Sequence, residues 1–213
     1  MRVAAVVVAG GRGERFGHPK QFVDLAGRTV CARSVAAARS VAERVVVVVP
    51  DSYSGDGEGA DVVVIGGATR AESVRRGLDV VGDVDVVVIH DAARPAASPL
   101  LFERVINALA DGVDGAIPGL DVTDTLKKVT LTSHGLRRVV STVSREGVVT
   151  VQTPQAFRLS ALRDAHRGSP EATDDAALLE ARGSTVVIVE GEPSNVKITV
   201  PSDLEQMIAR EWA

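Results

Sequence analysis

The stretch Val3–Lys20 reads VAAVVVAGGRGERFGHPK, and its reading decides the fold. Val3 to Ala9 is uninterrupted apolar sequence, a length that suits a strand buried on both faces. The run stops at Gly10, Gly11 and Gly13, and the cations Arg12, Arg15 and Lys20 are close behind. Glycines let backbone N–H groups approach an anion, and cations neutralise the charge that the amides leave. Strand, glycine loop and positive charge in this order are a recipe for holding phosphates. Taken alone, the glycines would also serve a tight turn.

Two nucleotide templates fail on this loop. A dinucleotide fingerprint wants a third small residue where Phe16 stands, and an acid about twenty residues on, where Ala32 to Ala38 offers none. A P-loop wants Gly-Lys-Ser/Thr after four spacer residues, and that sequence is absent. A dehydrogenase is disfavoured on the same grounds.

Outward from the loop, strands and helices alternate. Arg44–Val49, Val62–Ile65, Asp85–Ile89, Gly115–Pro118, Val149–Val151 and Thr185–Val189 read as strands. Helices are expected over Thr29–Val41, from the Gly66–Ser73 turn to about Val81, over Ser98–Ala110, Arg158–Arg167 and Thr173–Ala181, and from Pro201. Ser98 before Pro99, and Thr173 before two acids, look like N-caps. Repeated strand–loop–helix units give an α/β three-layer sandwich with a mostly parallel central sheet. Ligands collect at the carboxyl ends of strands in such sheets, so the glycine loop, the turn at Ser73 and Asp91 should converge. We expect one domain over residues 1–213. From about residue 121 to 145 two polar strands flank a Ser133–Gly135 turn, with too little apolar surface for a second domain. They read as a protruding β-arm, which a second subunit would cover to make a homodimer.

Composition narrows the class. The chain is 45% hydrophobic but only 3% aromatic, so valine and alanine must fill the core. A net charge of −4, without a basic tract, argues against nucleic acid as a partner. The lone Cys31 excludes an intrachain disulfide, and no Cys/His cluster suggests zinc. No apolar run approaches the ~20 residues that span a bilayer, and the opening lacks a signal-peptide layout. A soluble cytoplasmic protein with no membrane partner is expected.

The chemistry is read from what is scarce. His18, His90, His134 and His166 are dispersed, and no Ser–His–Asp or Cys–His set suggests itself. A phosphate monoester is already ionised near neutrality, with a second pKa of about 6, and as a nucleophile needs positioning and charge neutralisation rather than a base. Asp91, directly after an apolar strand, could cap the next turn, bind magnesium or orient a substrate hydroxyl.

The motifs GGRGERFGHPKQF, HDAARP, DTLKK, STVSREG, TPQAF, ATDDAALLEARG and EGEPSNVKIT follow one another across nearly the whole chain. In this order they resemble the cytidylyltransferases of isoprenoid-precursor synthesis. The resemblance implies a fold of the nucleotide-diphospho-sugar transferase type and transfer of CMP from CTP to methylerythritol 4-phosphate, releasing pyrophosphate with Mg²⁺ present. Carried over by motif, Ala9, Gly10, Gly11 and Gly13 would wrap the nucleotide, and Arg15 and Lys20 would grip the triphosphate. Gly66, Gly67, Ser73 and Ala92 would meet the nucleoside. Asp91 and Arg94 would hold the sugar phosphate, with Asp91 placing the metal. Thr125, Thr173 and Lys197 would complete the pocket, Lys197 serving both substrates, and Arg145 would reach the neighbouring subunit's substrate. The nearest rival is a ribitol-5-phosphate cytidylyltransferase, which shares the PKQ and HDA-type motifs. A non-catalytic nucleotide-binding relative is less consistent with Arg15, Lys20, Asp91 and Lys197 all being present.

Overall fold

The structure is a computed structural model that describes residues 1–11, 13 and 16–211. In chain order it forms β1 (Val3–Val8), a short 3-10 turn (Lys20–Phe22), β2 (Asp24–Leu25), β3 (Arg28–Thr29), α1 (Val30–Arg39), β4 (Arg44–Val49) and β5 (Val62–Ile65). Next come α2 (Arg70–Leu78), β6 (Val86–Asp91), α3 (Pro99–Asn107), β7 (Gly115–Asp121), β8 (Leu126–Leu131) and β9 (Arg137–Val143). The chain closes with β10 (Val149–Val151), β11 (Gln155–Arg158), α4 (Leu159–Ala165), α5 (Asp175–Glu180), β12 (Val186–Glu190) and α6 (Pro201–Glu211).

The valine-rich strands pair in parallel: β1 lies between β4 and β6, β5 flanks β4, and β12 runs parallel to β7. Helices cover both faces, as alternation along the strands requires. Ala5, Val7, Val47 and Val88 point to α1 and α3, meeting Val35, Ala38, Leu101 and Phe102. Ala4, Val6, Val48 and Ile89 point the other way, to Val74 and Leu78 of α2, Leu162 of α4 and Leu179 of α5. Small strand residues bring the helices close, which is how so aromatic-poor a chain builds a dense core. Among the described residues no helix is long and apolar enough to cross a membrane.

Caps set the helix starts. The hydroxyls of Thr29, Thr69 and Ser98 accept from the N–H groups of Ala32, Glu72 and Leu101 at 3.0–3.1 Å. Thr173 does not cap α5: Asp174, one residue on, accepts from Ala177 N–H at 3.0 Å, and Thr173 is exposed. A second departure is β11, which sequence patterning does not reveal. It inserts antiparallel between β6 and β7, so α4 begins only at Leu159. Gln155, Ala156 and Phe157 are all buried, leaving no polar–apolar alternation to read.

The hairpin β8–β9 is a sheet of its own, with a register shift at Lys128/Val129. Its apolar residues face solvent in this chain: Leu131 and Leu136 are 72% and 71% exposed, and Val139 and Val140 more than half so. A third, small cluster joins Phe16, Leu25, Val30, Ile198 and Met207, tying the segment after the glycine loop to α6.

Candidate active site

Sheet register builds the site. Chain order runs outward from β1 to β4 and β5, then returns to β6 on the opposite side of β1, so the strand order reverses beside β1. Ligand crevices form outside the carboxyl ends of strands at such reversals. Val8, the last residue of β1, is paired with Asp91, the last of β6, so the glycine loop leaves the sheet beside that carboxylate. A cleft of 620 Å³ opens there, lined by the glycine loop, Lys20, the Gly67–Arg70 turn, Ser73, Asp91 and Lys197.

The loop is braced from inside. Gln21 is buried and its side-chain amide donates to the carbonyls of Ala9 and Gly11 at 2.7 and 2.8 Å. Gly13 has φ +70°, and a Cβ there would stand 1.9 Å from the His18 carbonyl oxygen, so only glycine permits this return of the chain. The neighbouring turn is fixed by Ser73, whose hydroxyl donates to Thr69 C=O at 2.9 Å and accepts from Gly67 N–H at 3.1 Å.

Asp91 is held from three sides. Its N–H donates to the Thr153 hydroxyl at 3.0 Å, one carboxylate oxygen accepts from Lys197 Nζ at 2.6 Å, and the other accepts from Arg70 Nε at 3.3 Å. Burial alone would raise this carboxyl, but Arg70 and Lys197 outweigh it and hold it well below the usual carboxylate range. Arg70 is clamped in turn: its Nη1 donates to Asp175 at 2.7 Å, and the other oxygen of Asp175 meets His166 Nε2 at 3.0 Å. Lys197 owes its place to Ile198, buried in the third cluster with its N–H on Ala93 C=O at 2.9 Å.

Ten of the residues expected from sequence therefore share one cleft: Ala9, Gly10, Gly11, Gly13, Lys20, Gly67, Ser73, Asp91, Ala92 and Lys197. Gly66 sits just behind, its N–H on Val49 C=O at 2.8 Å. Arg94 turns away, donating to Asn195 C=O at 2.7 Å. Thr125 and Arg145 stand at the foot of the β-arm, where Arg145 donates to Thr123 C=O and lines a separate hollow. Thr173 does not reach the cleft, and Arg15 lies outside the described residues.

Two residues lining the cleft have roles that sequence reasoning missed. Gln21 belongs to the PKQ motif, but its brace on the loop carbonyls shows only in the structure. Arg70 did leave a signal: it opens α2, where the helix dipole disfavours a cation unless a carboxylate pairs with it.

Residues 3–210 match the protein-family model described as IspD, 2-C-methyl-D-erythritol 4-phosphate cytidylyltransferase. The chain belongs to the IspD family. The Rhodococcus jostii protein named 2-C-methyl-D-erythritol 4-phosphate cytidylyltransferase is 43% identical over 95% of this chain and 92% of its own length. The crystal structure of the enzyme of that name from Thermus thermophilus superposes with a TM-score of 0.82 at 38% identity, covering 98% of both chains. A bifunctional enzyme IspD/IspF from Clavibacter michiganensis subsp. michiganensis is 42% identical over 99% of this chain, which spans only 55% of it. Several of the curated relatives are such two-part enzymes, and the chain spans about half their length. The IspD family is the one that the ordered motifs pointed to, and its mixed sheet is the one observed.

Proposed function

We propose that this chain transfers CMP from CTP to 2-C-methyl-D-erythritol 4-phosphate, giving 4-diphosphocytidyl-2-C-methyl-D-erythritol and pyrophosphate. The observation that carries the reading is the cleft, in which a braced glycine loop, Lys20 and Lys197 face Asp91 in a chain of the IspD family. A phosphate oxygen of the sugar phosphate bonds to the α-phosphorus of CTP as the bond to the β-phosphate breaks, and pyrophosphate leaves with that electron pair. No side chain need remove a proton, which suits a cleft whose acid is already ionised. Ala9, Gly10, Gly11 and Gly13 receive the phosphates. Lys20 and Arg15 neutralise charge that grows on the α-phosphate and the leaving group. Gly66, Gly67, Ser73 and Ala92 border the nucleoside, while Asp91 and Lys197 position the sugar phosphate.

The residues fit a magnesium ion that comes in with the triphosphate. Such ions are held by one or two carboxylates plus substrate phosphates, and Asp91 would hold this one. No group of three His, Cys, Asp or Glu suited to a metal gathers among the described residues. When bound, the ion would supply charge neutralisation to the triphosphate.

The β-arm completes the reading as a homodimer contact. Its solvent-facing Leu131, Leu136, Val139 and Val140 support this, and so does the position of Thr125 and Arg145 at its foot, outside this chain's own cleft. From there Arg145 and Thr125 would reach a partner's sugar phosphate, and Arg94 and Thr173 would join when substrate binds. A cytoplasmic setting is part of the same proposal.

Pyrophosphate release, measured with each nucleoside triphosphate against methylerythritol phosphate and ribitol 5-phosphate, tests it. Release with CTP and methylerythritol phosphate alone is expected. Preference for ribitol phosphate would replace the substrate, and no release with any pair would refute catalysis.

A further inference from the structure

The carboxylate of Asp91 has two cations, and they differ in freedom. Lys197 is 42% exposed at its side chain and stands on a flexible stem, with Asp91 as its only ion pair among the described residues. Arg70 is 26% exposed and fixed at its far end by Asp175, itself 1% exposed and gripped by His166. The forked guanidinium thus spans two carboxylates on different elements, Asp91 at the end of β6 and Asp175 at the start of α5. A lysine ammonium, a compact charge on a flexible stem, lacks the rigid fork that holds the two carboxylates at fixed positions. Burial works against the charge on Arg70, but the two carboxylates more than offset it and hold the guanidinium firmly protonated.

This asymmetry matters when phosphate enters. Lys197 can turn to a phosphate only by leaving Asp91, and a buried carboxylate stripped of its partner is strongly unfavourable. With Arg70 on the other oxygen, Asp91 keeps a partner throughout. We propose that Arg70, locked by Asp175 and His166, is a positioning residue that releases Lys197 from Asp91 to an incoming substrate phosphate. The proposal rests on the phosphate-transfer reading of the cleft. It assigns a task to three residues, Arg70, Asp175 and His166, that have no part in the chemistry itself. It also accounts for a cation at the first position of α2, where the helix dipole opposes it.

A double-mutant cycle read by the affinity of the intact chain for inorganic pyrophosphate, measured calorimetrically, tests the hand-over without turnover. Arg70→Gln should weaken pyrophosphate binding about tenfold when Lys197 is present, because Lys197 then stays on Asp91, and less than about twofold in a Lys197→Ala background. Equal losses in both backgrounds, or no loss in either, would overturn the proposal. If Arg70→Gln does not give a cooperative thermal transition, the nearly isosteric Asp175→Asn decides. It loosens Arg70 while keeping the hydrogen-bond acceptor, and a loss confined to the Lys197 background is expected, whereas unchanged affinity refutes the clamp. Pyrophosphate binding that obeys the cycle in a chain without cytidylyl transfer would sink the functional reading alone. Absence of pyrophosphate binding in the unaltered chain would sink the hand-over as well.

Discussion

Gly13 and Lys20 carry the residue-scale arguments. At Gly13 a side chain would need both a left-handed backbone and room that the His18 carbonyl occupies. Gly13→Ala should therefore cost at least about 1–2 kcal/mol and weaken CTP binding, seen together in the thermal midpoint and a CTP titration. Lys20 lines the cleft from the 3-10 turn just beyond the loop. Lys20→Ala should lower kcat about 100- to 1000-fold with a far smaller change in KM, since the contact strengthens as charge develops. An unchanged kcat would remove Lys20 from the chemistry.

At the scale of elements, the register of β1 against β6 and the isolation of the β-arm do most of the positioning. Sliding β6 by one residue would turn Asp91 toward the opposite face of the sheet, so the run of valines that fixes the pairing also fixes the carboxylate. The arm obeys a different rule. A lone two-stranded hairpin is marginal in water, and this one leaves Leu131, Leu136, Val139 and Val140 uncovered within its own chain. If the arm is the proposed homodimer contact, placing charges there by Leu136→Glu with Val139→Glu should give a monomer in sedimentation and reduce sugar-phosphate use, leaving the thermal midpoint of the main sheet nearly unchanged. An unaltered chain that sediments as a fully active monomer would refute the shared-site arrangement. Arg145→Ala should raise KM for the sugar phosphate more than KM for CTP, because it stands at the arm's foot rather than in the cleft beside Asp91.

For the whole molecule, stability should depend on pH through a buried group that does not line the cleft. His90 is fully buried, with its ring nitrogens 3.2 Å from the Thr153 hydroxyl and from Arg94 C=O. Burial, with a smaller contribution from Arg94, pushes its pKa down from 6.5 to about 4, although Asp91 acts the other way. The unfolded chain then takes up a proton that the folded chain refuses. Stability is full above about pH 6.5, falls as pH drops toward about 4, and loses up to about 3 kcal/mol over that window. Urea unfolding across the window should show this slope, and His90→Asn should flatten it. The alternation of valine strands and helices, the N-cap at Ser98 and the glycine–cation loop were legible in the sequence because each rests on residues near one another in the chain. The family too was legible, since its motifs recur in order. By contrast β11 gave no periodic signal, because a strand buried on both faces between two others has no polar side to display. Arg70 acquired meaning only when α2 brought it within reach of Asp91 and Asp175, which lie 21 and 105 residues away along the chain. Sequence by itself therefore determined the layers of this protein and the glycine loop that lines its cleft, through hydrophobic period and local backbone freedom. The tertiary structure alone decided which charges meet, because an ion pair depends on distance in space, and sequence separation does not set that distance.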